Sequence, residues 1–190
     1  MNIQPTMNSI RALVDENPAK AKEAITQLSN ILRNTLLMNK NKEILLEEEL
    51  QLVKDYLNLE KIRYEERLHS NFNISPETLT QKVPPLIIQT QVENAIKHSI
   101  SKLPKGGSIT VNSSLNTQNL NISILNTGQI SLDKTDTGFG LINSKQRLEL
   151  LYGNRANIEI KNTNNNQVSV EINIPINEIF RVIYSVRRGG

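Results

Sequence analysis

Apolar residues recur at helical spacing through the first third of this chain and at alternate positions through most of the rest. Ile10, Leu13 and Val14 form a short apolar face, which Asp15-Glu16-Asn17-Pro18 interrupts. Pro18 suits the first turn of a new helix, where its missing N–H costs nothing, and Asn17 suits the cap before it. Ala21, Ala24, Ile25, Leu28, Ile31, Leu32 and Leu36 then follow at steps of three and four. After a polar break at Met38-Asn39-Lys40-Asn41-Lys42, a second stripe runs through Leu46, Leu50, Val53, Leu57 and Ile62. Leu52, Tyr56 and Leu59 widen it, and Arg63, Arg67 and Leu68 lie near its end. Glu47, Glu48 and Glu49 stand in its first turn, where they complement the helix dipole. Two long amphipathic helices with a short connection predict an antiparallel hairpin, and faces this broad predict dimerisation into a four-helix bundle.

Near Ser70 the period changes to two. Phe72 and Ile74, Ile109 and Val111, Leu120, Ile122 and Ile124, Ile158 and Ile160, and Val168, Val170, Ile172 and Ile174 alternate with polar residues. One buried and one wet face suit antiparallel strands. Helices are expected from Pro84 to about Ile100 and from about Gly140 to Tyr152. Asn116-Thr117-Gln118-Asn119 and Asn162-Thr163-Asn164-Asn165-Asn166 read as hairpin turns. The predicted fold is α+β: an N-terminal helical hairpin over residues 1–70, then a two-layer α/β sandwich with a mainly antiparallel sheet over 71–177, with helices on one face. Residues 178–190 form a tail without an assigned role.

Composition narrows the function classes. A chain of 190 residues suits one domain, or a smaller domain with a helical appendage. Aromatics are 4% and tryptophan is absent, so the core must be Leu, Ile and Val. The formal charge of +3 is near balance, without the basic and aromatic interleaving of a nucleic-acid module. Absent cysteine excludes disulfides and thiolate metal sites. No run of about 18 apolar residues exists to span a membrane, and Met1-Asn2-Ile3-Gln4-Pro5 lacks the features of a signal peptide. The expectation is a cytoplasmic chain, or the cytoplasmic end of a larger receptor.

The candidate chemistry centres on Gln91-Val92-Glu93-Asn94-Ala95-Ile96-Lys97-His98. Glu93, Asn94, Lys97 and His98 share one helical face. An acid and an amide can hold a hydrated magnesium ion, which takes few protein ligands, and the lysine and imidazole can meet phosphate oxygens. The plain alternative is an amphipathic helix with a polar outer face. Downstream, Asn126-Thr127-Gly128 ends a strand, and Thr137-Gly138-Phe139-Gly140-Leu141-Ile142-Asn143 leads into a helix bearing Arg147-Leu148. Gly138 and Gly140 admit a phosphate close to the backbone, and the N–H groups opening the helix favour an anion. The polar segment 129–136 suits a lid over a nucleotide. Alone, a Gly-x-Gly also fits any turn that opens a helix.

The order of these blocks resembles the Bergerat (GHKL) ATP-binding fold, and within it the LytS-type, or internal-region, sensor histidine kinases. Thr6-Met7-Asn8-Ser9-Ile10-Arg11-Ala12-Leu13, Leu46-Glu47-Glu48-Glu49-Leu50, Tyr56-Leu57, Lys61-Ile62-Arg63 and Pro84-Pro85-Leu86 resemble further blocks of that family, so the likeness runs from about Asn2 to Pro175. It implies ATP and Mg2+ as cofactors, with Asn94 as the magnesium ligand and Glu93 as the candidate catalytic residue that polarises the attacking group. Lys97 and His98 would lie near the phosphates. Asn126 stands where many members carry an adenine-reading Asp, Gly128 lets adenine or the lid pass, and Gly138 and Gly140 form the glycine box, with Phe139, Leu141 and Asn143 as further nucleotide-binding residues. The implied partners are a second copy, through the helical hairpin, and a response regulator receiver domain. Nucleic acid is not implied, and a membrane only through a parent receptor.

One departure matters. The family's phosphoacceptor block reads roughly Gln-Pro-His-Phe-hydrophobic-Phe-Asn before the Thr-Met-Asn-Ser-Ile run. Here Gln4-Pro5 is followed directly by Thr6-Met7-Asn8-Ser9-Ile10, so about five residues, including the acceptor histidine, are missing. His69 reads as a surface residue, and His98 belongs to the nucleotide block. Removal of the segment, an engineered deletion and a natural loss of autophosphorylation all fit this gap. The chain is therefore expected to bind Mg–ATP without phosphorylating itself. Alternatives are a silent ATP-binding scaffold that pairs with an intact kinase, a serine kinase of the anti-sigma type, and a purely structural helical module.

Overall fold

The computed structural model describes residues 4–130, 139–163 and 165–176. Gly138, the Phe139 side chain, the lid positions 131–136 and the tail 178–190 lie outside the described residues. The helices are α1 (Gln4–Glu16), α2 (Pro18–Met38), α3 (Leu46–Tyr64), α4 (Ile87–His98) and α5 (Phe139–Tyr152). The strands are β1 (Ile44–Leu45), β2 (Leu68–Ile74), β3 (Lys82–Val83), β4 (Gly107–Leu115), β5 (Asn119–Thr127), β6 (Asn157–Thr163) and β7 (Gln167–Pro175).

Local chemistry sets the helix boundaries. Asn17 accepts the Lys20 N–H at 3.1 Å, and Pro18 opens α2 behind it. The short apolar face before this cap is a helix of its own, so α1 folds back on the α2–α3 hairpin. Ile10, Ala24, Leu28, Ile31, Leu52 and Leu59 form the core of this helical part. Helix α3 is buried on two sides. Leu52 and Leu59 face α1 and α2, whereas Leu50, Val53, Leu57 and Tyr64 join the main core with α4 and the sheet. A helix between two partners needs apolar residues around most of its girth, which explains the widened stripe.

The five-stranded sheet has the order β2-β4-β5-β7-β6. Three of its pairings are antiparallel, and β2 pairs parallel with β4. Period two reports a wet and a dry face and is silent on strand direction; the connection through α4 is long enough to permit the parallel pair. Ile109, Val111, Leu120, Ile122, Ile124, Val170, Ile172 and Ile174 face the core, where Ile88, Val92, Ile96 and Leu148 of α4 and α5 cover them. Each such side chain contributes about 1.5–3 kcal/mol of burial. Asn116 Oδ1 accepts the N–H groups of Gln118 and Asn119 at 2.8 and 2.7 Å and so makes the β4–β5 turn. Asn166, with φ +53°, lies in the β6–β7 turn.

Two features carry no periodic signal. Strands β1 and β3 pair with Ile44 opposite Val83, tying the α2–α3 connection to the segment before α4. Gly106 has φ +73°, and a Cβ there would lie 2.0 Å from the Arg67 carbonyl oxygen, so only glycine fits where the chain enters β4.

Candidate functional site

Helix α4 starts later than expected. Pro84 and Pro85 precede the helix, Pro85 and Leu86 form a turn, and Leu86 takes a left-handed φ of +63° before the first helical residue, Ile87. Ile88, Val92, Ala95 and Ile96 bury one face against the sheet. On the other side Glu93, Asn94 and His98 are half-buried and Lys97 is exposed. Gln89 Nε2 donates to Glu93 Oε1 at 3.1 Å.

Glu93, Asn94 and Lys97 line a cleft of about 460 Å³ whose opposite wall is Tyr56, Glu60 and Arg63 of α3, with Pro5 at the start of α1. Glu60 is only 3% exposed. Its Oε1 accepts the Thr6 hydroxyl at 2.8 Å, and its Oε2 has no hydrogen-bond partner among the described residues. Burial, reinforced by the charge of Glu93, pushes the Glu60 carboxyl up, although the Thr6 hydrogen bond and Arg63 pull the other way. Burial and the two carboxylates also push the Tyr56 phenol up. Arg63, stacked 4.8 Å over the Tyr64 ring, and Lys97 supply positive charge to the same cleft. The oxygens that Asn94 and Glu93 present are the donor set a largely hydrated Mg2+ takes. Among the described residues no three His, Asp or Glu side chains cluster to hold a metal by themselves.

The first turn of α5 presses on α4 at this point. A Cβ on Gly140 would stand 2.8 Å from Thr90 Cγ2 and 3.0 Å from Asn94 Nδ2, so glycine is what allows the approach. Leu141 packs against the main core and Asn143 is exposed. A second cleft, about 350 Å³, lies between the two helices and includes Thr90, Gly140, Asn143, Ser144 and Arg147. Gln91 Nε2 donates to Ser144 Oγ at 3.0 Å. Arg147 donates to the Pro85 carbonyl at 2.5 Å and to Asn39 Oδ1 at 3.2 Å.

At the far end of α4, Asn126 is buried and its Nδ2 donates to the Thr127 carbonyl at 3.1 Å. Gly128 has φ +122°, and a Cβ there would meet Ser99 Cβ at 2.9 Å, so the end of β5 closes on the end of α4. Thus Glu93, Asn94 and Lys97 share one cleft along the second half of α4, Gly140 of α5 approaches Asn94, and Gly128 lies at the C-terminal end of α4. Sequence reasoning gave Glu49 only a dipole role on its own helix, and gave Thr6 and Glu60 no part in the site. The available signal was an acid beside apolar positions of α3, at Glu49-Leu50 and Leu59-Glu60, where a solvated face has no reason to run.

Comparison with known proteins adds the following. A family model described as "Histidine kinase" matches residues 3–68. The chain is 35% identical over 170 residues to the sensor protein LytS of Staphylococcus epidermidis, covering 83% of this chain and 29% of that protein. It therefore spans under a third of the length of this curated relative. The catalytic domain of the histidine kinase ThkA has the same fold, with a TM-score of 0.54 and 24% identity over 70% of this chain and 94% of that one. ThkA solved in complex with the response regulator protein TrrA aligns over 93% of this chain and 59% of that one, with a TM-score of 0.51 and 18% identity. No described helix is long and apolar enough to cross a membrane.

Proposed function

Because this chain belongs to the LytS-type sensor histidine kinase family, with its GHKL ATP-binding fold, we propose that it is the cytoplasmic kinase core of such a sensor and binds Mg–ATP against α4. The supporting observation is the cleft that Glu93, Asn94 and Lys97 share with Pro5. In the family pattern the acceptor histidine follows that proline, so the nucleotide helix and the acceptor position face one space. Asn94 would hold Mg2+, which neutralises phosphate charge when bound. Lys97 and the backbone opening α5 at Gly140 would orient the phosphates, Asn126 would read the adenine amine through its amide oxygen, and Glu93 would polarise the attacking group. Phosphoryl transfer asks little else of the protein than positioning and charge.

In this chain α1 runs unbroken through Pro5 and Thr6, with no histidine between them. The proposed outcome is Mg–ATP binding without autophosphorylation. Calorimetric titration of Mg–ATP should show binding to the wild type and at least a tenfold loss for Asn94→Ala; equal absence of binding in both would sink the reading. Acid-labile label from γ-labelled ATP would overturn the second half.

The hairpin would pair two copies. Ile25 and Leu36 of α2 are 49% and 68% exposed, with Leu32 between them at i+7 from Ile25, an apolar stripe left uncovered among the described residues. A response regulator receiver domain is the proposed phosphoryl recipient of the parent kinase, by analogy with ThkA and TrrA. The missing histidine favours one second reading: a silent ATP-binding partner that pairs with an intact kinase and regulates it. Heterodimers formed on mixing with an intact family member, without label on this chain, would support that reading over the first.

A further inference from the structure

A helix leaves its first N–H groups without partners, and a buried start must find them acceptors. Helix α4 has no cap of its own, since Leu86 carries an apolar side chain and a left-handed backbone. The acceptor comes from another helix. Glu49 of α3 takes the Leu86 N–H at 2.7 Å on Oε2, and the Ile88 and Gln89 N–H groups at 3.0 and 3.1 Å on Oε1. Its side chain has no exposure at all.

We propose that Glu49 is a positioning residue for nucleotide binding: its carboxylate clamps the first turn of α4 to α3 and thereby sets where Glu93 and Asn94 stand. This rests on the Mg–ATP reading of α4. Asn94 lies six residues beyond Ile88, about 9 Å along one rigid helix, so a shift at the clamp is carried to the cleft. The charge also meets the positive end of the α4 dipole. The charged group of α5 whose field reaches Glu49 is Arg147. That arginine bonds the Pro85 carbonyl just upstream of the clamp and Asn39 in the α2–α3 connection. The N-terminus of α4 is thus held from α3, from α5 and through the connection before α3. A slide or rotation of α3 must either carry α4 with it or break three hydrogen bonds, which makes the clamp a route from the helical part to the nucleotide helix.

The full-length chain tests this with Glu49→Gln and Glu49→Leu, and with Leu28→Ala as a control of stability, since Leu28 belongs to the helical core, against which Leu86 packs but Ile88 and Gln89 do not. Amide hydrogen exchange and Mg–ATP affinity are measured on each. Both Glu49 variants are expected to speed exchange at the amides of Ile88 and Gln89 at least tenfold and to weaken Mg–ATP about tenfold. Leu28→Ala, at a matched or lower melting temperature, should do neither. Unchanged exchange at Ile88 and Gln89, or an affinity loss no greater than that of Leu28→Ala, overturns the proposal. If the wild type itself binds no Mg–ATP, the functional reading fails separately, and the exchange arm alone decides whether Glu49 clamps α4.

Discussion

Replacing Glu49 by glutamine removes a charge that the fold buries completely, and it should change how stability responds to pH. Burial pushes the Glu49 carboxyl up from its ordinary 4.5 to about 6, outweighing the three backbone donors and Arg147, which pull it down. At ~1.36 kcal/mol per pH unit this is ~2 kcal/mol. The folded protein holds the proton more tightly than the unfolded chain does, so it binds more protons between pH 4.5 and 6, and stability falls as pH rises there. The contribution is fully present below 4.5 and is lost as pH passes through about 6. Glutamine does not titrate, and Glu60 titrates alike in both proteins, so their difference isolates Glu49. Urea unfolding of both chains across this range should show the wild type losing ~2 kcal/mol relative to Glu49→Gln by the time Glu49 is ionised. The constant offset between them is set by an amide N–H2 facing a backbone N–H, about 1–3 kcal/mol, so the slope is the test. A flat difference, or one that moves in favour of the wild type with rising pH, would refute the reasoning, because it would mean that the helix N-terminus and Arg147 stabilise the charge more than burial opposes it.

Gly140→Ala would place a Cβ 2.8 Å from Thr90 and 3.0 Å from Asn94; overpacking of about 1–3 kcal/mol should displace Asn94, and Mg–ATP titration should show at least a tenfold weaker affinity. Gly106→Ala combines φ +73° with a 2.0 Å approach to the Arg67 carbonyl, so urea unfolding should report a loss of about 3 kcal/mol. Leu36→Arg puts a charge on the exposed stripe of α2 without touching either core, and light scattering should show the mass fall from dimer to monomer while the circular dichroism spectrum holds.

What could be read from the chain alone was set within a few residues. The Asn17-Pro18 boundary, the Asn116 turn, the helical stripe of α2 and the alternation along β4, β5 and β7 depend on neighbours at most four positions away. The common face of Glu93, Asn94 and Lys97 is of the same kind, since helix geometry alone aligns i and i+4. Direction was harder: β2 alternates as an antiparallel strand would, yet runs parallel to β4, because the alternation records only burial.

The amino-acid sequence by itself determined the main helices, the five strands of the large sheet, the α+β class and the polar face of α4, since each follows from backbone periodicity and local hydrogen bonding. Only the tertiary structure decided that Glu49 and Glu60 leave solvent, that Thr6 bonds Glu60 and that Arg147 braces Pro85. Those contacts join residues 37 to 62 positions apart. An acidic side chain looks the same in a sequence whether water or three backbone N–H groups surround it, and its surroundings are chosen by packing.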